Sequence, residues 1–209
     1  KVFDRILVFA IKGHKLILKN DNIKRVAAEM RRGRERKAPM LYQINATGTI
    51  DPRIEMHYRF HQKIDPSQYP QVHDFYEIML VTDGKMEMEI NRETELLGAG
   101  ALFLIRPGDV HNRKAVGACS YINLAFPAEV VEKMFRYLDI PEMKQRILGL
   151  PRPPRTKLTA GETLLLKARL EKLNLLPLKQ PHVICMELRR LMLDVMLQYF
   201  LPAFSSPVH

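Results

Sequence analysis

The stretch QVHDFYEIMLVTDG, residues 71–84, decides the fold because it places polar side chains within an apolar run of β-strand composition. Successive side chains of a strand point to opposite faces, so every second residue shares a face. An unpaired buried polar group costs about 1–3 kcal/mol, so each one here requires a hydrogen bond, a ligand or a metal ion. The other face is also apolar, which is typical of a strand inside a sandwich or barrel. The face with the polar groups carries Gln71, His73, Phe75, Glu77 and Met79.

Composition and charge limit the classes of protein to which the chain can belong. The chain has 209 residues, of which 46% are hydrophobic, enough for one globular domain with or without an appendage. Its formal net charge of +10 favours association with nucleic acid or another polyanion. The two cysteines, Cys119 and Cys185, are far apart, and there is no signal-peptide pattern and no apolar run long enough to cross a bilayer. These features predict a reduced, cytoplasmic protein without membrane contact.

Residues 1–40 are predicted as an N-terminal extension with one amphipathic helix. Asn20 and Asn22 can cap this helix, apolar residues follow at helical spacing, and Gly33 marks its end. The basic cluster Arg31–Lys37 could contact phosphates, but cations also suit a helix C-terminus. Because no aromatic residues alternate with these cations, we interpret the cluster as a solvated helix end.

Residues 41–127 carry short alternating runs separated by turn signals, which predicts a mainly β barrel of the jelly-roll type. In one such run the apolar residues share one face and His57, Arg59 and His61 share the other. These three side chains point either to the pocket or to solvent.

A hairpin is predicted within the same region. Asp83–Gly84 is the preferred pair for a two-residue primed turn. Two further short strands follow, separated by glycines and by the turn RPGD at residues 106–109. The run Ser120–Phe126 closes the series of strands.

Residues 128–209 are predicted as a helical segment that ends in a linker. Three periodic runs indicate three helices, and the final proline and serine residues are typical of a linker. The third helix is apolar over a broad arc, so it either packs on the barrel or meets its twin across a dimer axis. The candidate dimerisation residues are Ile184, Leu188, Leu191 and Val195.

Two motifs resemble the paired motifs of the cupin superfamily. The first is Gln71-x-His73-x-x-x-Glu77, and the second is RPGDVH, which ends in His111. Gln71 stands where cupins usually have a histidine. The resemblance implies a cupin double-stranded β-helix barrel.

The stretches HDFYEIMLVTDG and LFLIRPGDVHN look more like the sensor domain of AraC-type bacterial transcription regulators than like cupin enzymes. This resemblance covers residues 50–200 and implies an effector-sensing and dimerisation domain that binds a small sugar-like ligand. Family members place two helix-turn-helix units after the sensor, so DNA would be contacted by a C-terminal domain that is not in this chain. The implied partners are a small-molecule effector, a second copy of the chain and DNA.

His73, Glu77 and His111 form the candidate site. Two histidines and one carboxylate suit divalent iron and related metals, with Gln71 as a weak fourth ligand. A metal-dependent cupin enzyme, such as an oxygenase or a sugar isomerase, would use this set for Lewis acid chemistry. Without a metal, the same groups would hydrogen-bond a ligand. We adopt this second interpretation, in which no cofactor is required although Zn, Ni, Fe or Mn could bind.

The remaining candidate residues surround this site. Phe75 and Met79 are predicted to supply the apolar wall of the pocket. Arg106 lies in the RPGD turn and is either a contact for an anionic or hydroxylated ligand at the barrel mouth or a plain surface residue. The sequence has no nucleophile elbow, phosphate-binding loop or CxxC pair, so the chain is predicted not to be an enzyme of those classes.

Overall fold

A computed structural model of the protein describes residues 41–63, 69–139, 144, 145, 147 and 149–201. The predicted N-terminal extension, with its helix and its basic cluster, lies outside the described residues, as do residues 202–209 of the linker-like end. The strands are β1 (Tyr42–Ile44), β2 (His57–His61), β3 (Gln71–His73), β4 (Tyr76–Ile90), β5 (Glu93–Gly98), β6 (Ala101–Ile105), β7 (His111–Phe126) and β8 (Arg155–Lys157). The helices are α1 (Ala46–Thr49), α2 (Ala128–Leu138), α3 (Ala160–Asn174) and α4 (Pro181–Val195), the last continued by a π-helical turn (Met196–Phe200).

The long strands β4 and β7 each take part in two layers. The first half of β4 pairs with β6 and with the second half of β7, and β8 and β2 extend this layer at its two edges. The second half of β4 pairs with β5 and with the first half of β7, which leads through β3 to β1. The layers therefore run β8-β6-β4-β7-β2 and β5-β4-β7-β3-β1. This mainly β jelly-roll barrel with added helices is the predicted fold class.

The predicted hairpin at Asp83–Gly84 is wrong, because β4 runs through both residues without reversing. Its register against β7 shifts on each side of the pair. Gly84 has φ +73°, and a Cβ there would lie 2.0 Å from the carbonyl oxygen of Ala118. A β-bulge of the type built around a glycine uses positive φ, as a primed turn does, so the same dipeptide serves both structures. The bulge lies where β4 passes from one layer to the other.

Both faces of β4 are buried in its first half, as the alternation predicted. Its outer face packs against α2, α3 and α4 in one apolar core. Its inner face contributes to a second core between the two layers. This inner core contains Met79, Val81, Met86, Met88, Ala101, Phe103, Ile105, Cys119 and Tyr121.

Helix α4 packs its apolar arc on the barrel, one of the two alternatives that the sequence left open. The four candidate dimerisation residues lie in the outer core and are buried within the chain itself. A partner chain would therefore have to contact other residues of the helical segment. The four residues are Ile184, Leu188, Leu191 and Val195. Within the described part of the chain, no helix combines the length and the hydrophobicity needed to span a membrane.

Candidate functional site

His73 and Glu77 come together because the backbone bends between them. Residues four apart in a straight strand are separated by about 13 Å, too far for contact. In the structure, β3 ends at His73 and β4 begins at Tyr76, so the predicted continuous strand is interrupted at Asp74 and Phe75. His73 Nε2 and Glu77 Oε2 are 3.1 Å apart, and both side chains are buried.

The His73 ring is held through its other nitrogen. Nδ1–H donates to the carbonyl oxygen of Phe75 at 2.8 Å. The rings of His73 and Phe75 stack with their centroids 4.2 Å apart. With Nδ1 as the donor, a neutral His73 has its lone pair on Nε2, facing the Glu77 carboxylate. Because a carboxylate cannot donate to that lone pair, the contact requires a proton or a metal ion between the two atoms.

The turn at Arg106–Asp109 positions His111 beside this pair. Gly108 N–H donates to the carbonyl oxygen of His73 at 2.9 Å, which joins the turn to β3. His111 Nδ1–H donates to the carbonyl oxygen of Asp109 at 3.2 Å, so the lone pair of the neutral ring is on Nε2. This Nε2 is buried and has no hydrogen-bond partner among the described residues. The rings of His73 and His111 lie edge to face, with centroids 5.0 Å apart.

The local electrostatics keep Glu77 ionised and His111 neutral. Burial raises the pKa of Glu77, but the hydrogen bond from His73 and the nearby positive charges outweigh burial and lower this pKa to about 2. Burial and the charge of His73 lower the pKa of His111 to about 4. At neutral pH the site therefore offers a carboxylate and an uncharged imidazole.

His73, Glu77 and His111, hereafter the His–Glu–His cluster, fit a divalent metal ion. One ligand atom from each lies within 4.8 Å of the other two. Both histidines donate Nδ1–H to a backbone carbonyl, which is how metal-binding histidines are commonly oriented with Nε2 towards the ion. The unpartnered Nε2 of His111 supports this fit. Two imidazoles and one carboxylate suit Zn, Fe, Ni or Mn.

Gln71, Phe75 and Met79 lie around the cluster. Gln71 is half-buried and pairs with His111 across β3 and β7. Phe75 is buried and stacks on the His73 ring. Met79 is fully buried in the inner core, on the face of β4 that also carries Glu77. Gln71 and Phe75 therefore border the cluster. Met79 lies deeper, in the inner core, on the same face of β4 as Glu77.

Arg106 does not face the barrel mouth, because its guanidinium is buried in the turn. Nε and Nη2 donate to the two carboxylate oxygens of Asp109 at 2.9 and 3.0 Å. Nη1 donates to the carbonyl oxygens of Ile147 and Leu150 at 2.9 and 2.7 Å. Arg106 therefore stabilises the turn that carries His111, where the sequence had suggested a ligand contact or a surface position.

The side chains of Arg59 and His61 point to the pocket side of β2. In the register of β2 and β7, Arg59 lies opposite Asn123 and His61 lies opposite Tyr121. Cross-strand partners share a face, and Tyr121 belongs to the inner core. The His61 ring stacks on Tyr121 with centroids 4.3 Å apart. His61 is therefore half-buried against the inner core, whereas Arg59, on the same face of β2, is exposed to solvent.

Sequence reasoning missed two polar residues of β7 that lie on the inner face of the barrel. Arg113 pairs with Met88 and Asn123 pairs with Met79, and both methionines are inner-core residues. The available signal was alternation along β7. Arg113 is two residues from His111 in the same strand, and Asn123 is a lone amide in an apolar run.

A groove of about 280 Å³ opens at the opposite edge of the barrel, between β5 and the chain that leads into β8. Its floor includes Phe103 of the inner core. Two ion pairs, Arg152 with Glu93 and Arg155 with Glu95, are formed by residues that line it. No member of the His–Glu–His cluster lines this groove.

Comparison with family models identifies the family. A model described as AraC-like ligand binding domain matches residues 58–173, more than half of the chain. The chain belongs to the family of AraC-like ligand binding domains. The predicted resemblance is therefore confirmed, and the matched residues of this AraC-like ligand binding domain include the whole His–Glu–His cluster.

No curated protein sequence matches this AraC-like ligand binding domain. The ethanolamine utilization protein Q from Salmonella typhimurium is 21% identical over 35% of this chain and 59% of that chain, with a TM-score of 0.30. An RmlC-like cupin from Shewanella frigidimarina is 18% identical over 36% of this chain and 68% of that cupin, with a TM-score of 0.30. ToxT from Vibrio cholerae is 9% identical over 72% of this chain and 57% of the ToxT chain, with a TM-score of 0.46. The match spans less than two thirds of the ethanolamine utilization protein and of ToxT, and these likenesses concern the fold alone.

Proposed function

We propose that this AraC-like ligand binding domain is the effector-sensing part of a bacterial transcription regulator and binds a small sugar-like ligand in its barrel. The observation that carries the proposal is a set of buried polar atoms without partners on the inner face. An unmade hydrogen bond inside a protein costs about 1–3 kcal/mol, so a ligand that supplies these bonds is bound favourably. Within the described residues, the atoms are His111 Nε2, Arg113 Nε and Asn123 Oδ1.

Sugar hydroxyls suit this site because they both donate and accept hydrogen bonds. One hydroxyl can donate to His111 Nε2 or to Asn123 Oδ1, and another can donate to the Glu77 carboxylate. Phe75 supplies apolar surface, the usual complement to a few polar groups in a ligand pocket. A divalent metal, when bound, would be held by the His–Glu–His cluster and would act as a Lewis acid towards a ligand oxygen.

The proposed regulator is a dimer that associates through helix α3. This helix buries three leucines against the barrel and also exposes Leu164 and Leu165, each 67% exposed. A helix that is apolar on two faces suits burial on both sides, here by the barrel and by a second copy of the chain. The exposed positions fall on one side of the helix. They are Ala160, Gly161, Leu164, Leu165, Ala168 and Lys172, and the last residue of the helix, Asn174, is exposed outside this side.

Control of DNA binding would pass from the pocket to the helices. A ligand shifts a conformational equilibrium only by as much as its affinity differs between the two states. Helices α3 and α4 pack on the outer face of β4, and the inner face of the same strand carries Glu77. Displacement of β4 by a ligand would therefore reach the helices directly. A C-terminal helix-turn-helix region would receive this change, contact DNA and place the regulator in the cytoplasm.

Thermal unfolding with a panel of monosaccharides, each with and without Zn, tests the binding site. A bound sugar should raise Tm, and the increase should disappear in His111→Ala and Asn123→Ala. Tyr137→Ala is the control, because Tyr137 is 85% exposed on α2. Equal increases in all three variants and in the wild type would contradict the proposed site.

The mass of the native polypeptide in its source cells tests the link to DNA. A chain that extends about 100 residues past His209 has room for a further small domain and would support the regulator. A native chain that stops at His209 would contradict control of DNA binding by a C-terminal domain.

The His–Glu–His cluster also favours a second candidate, a stand-alone metal-dependent cupin enzyme. The observation is that both histidines are oriented through Nδ1, which leaves Nε2 for an ion. Elemental analysis of the purified protein separates the two candidates. Stoichiometric metal whose removal abolishes turnover would favour an oxygenase or a sugar isomerase, whereas a metal-free protein stabilised by a sugar would favour the sensor.

A further inference from the structure

Arg113 reaches the pocket from β7. It pairs with Met88 of the inner core, so its side chain leaves the backbone on the inner face. Its guanidinium carbon lies 5.5 Å from the centroid of the Tyr121 ring, a cation–π distance. Its Nε is buried and has no hydrogen-bond partner among the described residues. Arg113 therefore interacts with Tyr121 through the ring face and through a side-chain hydrogen bond, while its Nε donor stays unused.

A second guanidinium, that of Arg59, also acts electrostatically on Tyr121. Arg59 is on β2 opposite Asn123, and Asn123 in turn pairs with Met79 of the inner core. The Arg59 side chain is exposed, so it lies at the rim of the pocket, whereas Asn123 is buried with Oδ1 unpartnered. The inner face therefore carries one half-buried guanidinium, one exposed guanidinium and a buried acceptor that lies opposite the exposed one.

Glu77, the nearby acidic residue, forms no ion pair with Arg113 or Arg59 among the described residues. Glu77 already accepts a hydrogen bond from the His73 ring at 3.1 Å and is buried beside it. Arg113 helps to lower the pKa of Glu77, but no hydrogen bond or ion pair joins these two side chains in the described part of the chain. Two guanidiniums remain for an anionic group that enters with the ligand.

We propose that the ligand is a sugar acid or a related hydroxycarboxylate, whose carboxylate is bound by Arg113 and Arg59. This inference rests on the proposed function, because it names the chemical class of ligand for the same pocket. A planar guanidinium binds a carboxylate through two parallel N–H donors, and Nε is one of those donors in the side-on arrangement. The hydroxyls of the same ligand donate to Asn123 Oδ1 and His111 Nε2. A neutral sugar supplies the hydroxyls but leaves both guanidiniums without a charged acceptor.

Matched pairs of sugars test the inference by isothermal titration calorimetry. D-glucose is compared with D-glucuronate and D-galactose with D-galacturonate, pairs in which a carboxylate replaces a hydroxymethyl group. At least one uronate is expected to bind about tenfold or more tightly than its neutral partner, because hydrogen bonds to charged groups are the stronger ones. Added salt should weaken the uronate more than the neutral sugar.

Two neighbouring positions on β7 give matched variants. Arg113→Gln should lower the affinity for the uronate about tenfold or more and that for the neutral sugar by a clearly smaller factor, because only the uronate loses a contact between two charged groups. Arg113→Lys keeps the charge without the planar fork, so it should recover part of the loss. Lys114→Gln removes the same charge from an exposed residue on the other face of the strand and should have no effect. The Tm of each variant without ligand shows that it is folded.

The outcomes separate this inference from the proposed function. Equal affinities within each pair, or equal losses in Arg113→Gln and Lys114→Gln, would overturn the acidic ligand. A neutral sugar that binds while both uronates fail would do the same and would leave the sensing of a sugar intact. If no sugar of either kind binds the folded wild-type protein, both the inference and the proposed sugar ligand fall.

Discussion

Arg106 and Asp109 form a buried pair, joined by two parallel hydrogen bonds of 2.9 and 3.0 Å, that holds the turn leading into His111. The backbone of the same turn contacts both histidines of the site. Gly108 N–H donates to the carbonyl oxygen of His73, and the carbonyl oxygen of Asp109 accepts from His111 Nδ1. The pair therefore positions the site without entering it.

Asp109→Ala is expected to lower the free energy of unfolding by about 3–5 kcal/mol, because it leaves the buried Arg106 guanidinium without its counter-charge. Asp51→Ala is the control. It removes the carboxylate of a pair with Arg53, whose guanidinium is largely exposed, so its effect should be much smaller. Urea denaturation measures both variants. Similar losses of stability in the two would contradict the special role of the buried pair.

Three glycine substitutions separate the two reasons why a side chain at Gly84 is unfavourable, its positive φ and the nearby carbonyl oxygen of Ala118. Gly84→Ala should destabilise most, because Gly84 has φ +73° and a Cβ there would lie 2.0 Å from the carbonyl oxygen of Ala118. Gly117 has φ +81° with open space around it, so Gly117→Ala should cost only the strain of positive φ, about 1–2 kcal/mol. Gly48 in α1 has neither feature, and Gly48→Ala should be tolerated. Unfolding midpoints in urea give the order, and equal losses at Gly84 and Gly117 would exclude the clash as a cause.

Alternation along the sequence predicted the members of the site but not the path that joins them. His73 and Glu77 keep to the inner side on both ends of the bend, so counting every second residue still assigned them to one face. The bend itself is supported by a distant contact, since the Asp74 carboxylate accepts from Ala46 N–H at 2.7 Å, 28 positions away. Local sequence does not encode such a contact.

One prediction was wrong, and one alternative stayed open at the level of sequence, because one local signal serves two structures. Asp83–Gly84 marks a positive φ, and only the pairing of β7 with both halves of β4 makes it a bulge instead of a hairpin. The apolar arc of α4 marks a buried face without saying what buries it, and the outer face of β4 does so here. Likewise, a turn arginine gives no sign that an aspartate three residues later will bury it, as Asp109 does to Arg106.

Metal retention tests the His–Glu–His cluster independently of any activity. Protein dialysed after exposure to Zn should keep a stoichiometric amount by elemental analysis, because three converging ligand atoms bind far better than one. His111→Ala and Glu77→Ala should lose most of it. His182→Ala is the control, since His182 is exposed near the start of α4. Retention in the cluster variants equal to that in His182→Ala would show that Zn binds elsewhere.

The exposed leucines of α3 are predicted to form the contact between two copies of the chain. The buried apolar arc of α4 is not. The double variant Leu164→Glu with Leu165→Glu should be monomeric where the wild type is dimeric, because burying two carboxylates in an apolar contact is unfavourable. Both leucines are 67% exposed in the single chain, so the variant should fold with nearly unchanged Tm. Light scattering coupled to size exclusion measures the mass.

Met186→Glu is the matched control for this experiment, since Met186 is 66% exposed and belongs to α4, not to α3. It should leave the dimer intact. A dimer that survives the double substitution, or one that Met186→Glu dissociates, would move the interface from α3 to another part of the helical segment. Since Ile184 and Leu188 are buried against the barrel within one chain, substitutions there would report on folding and could not identify that interface.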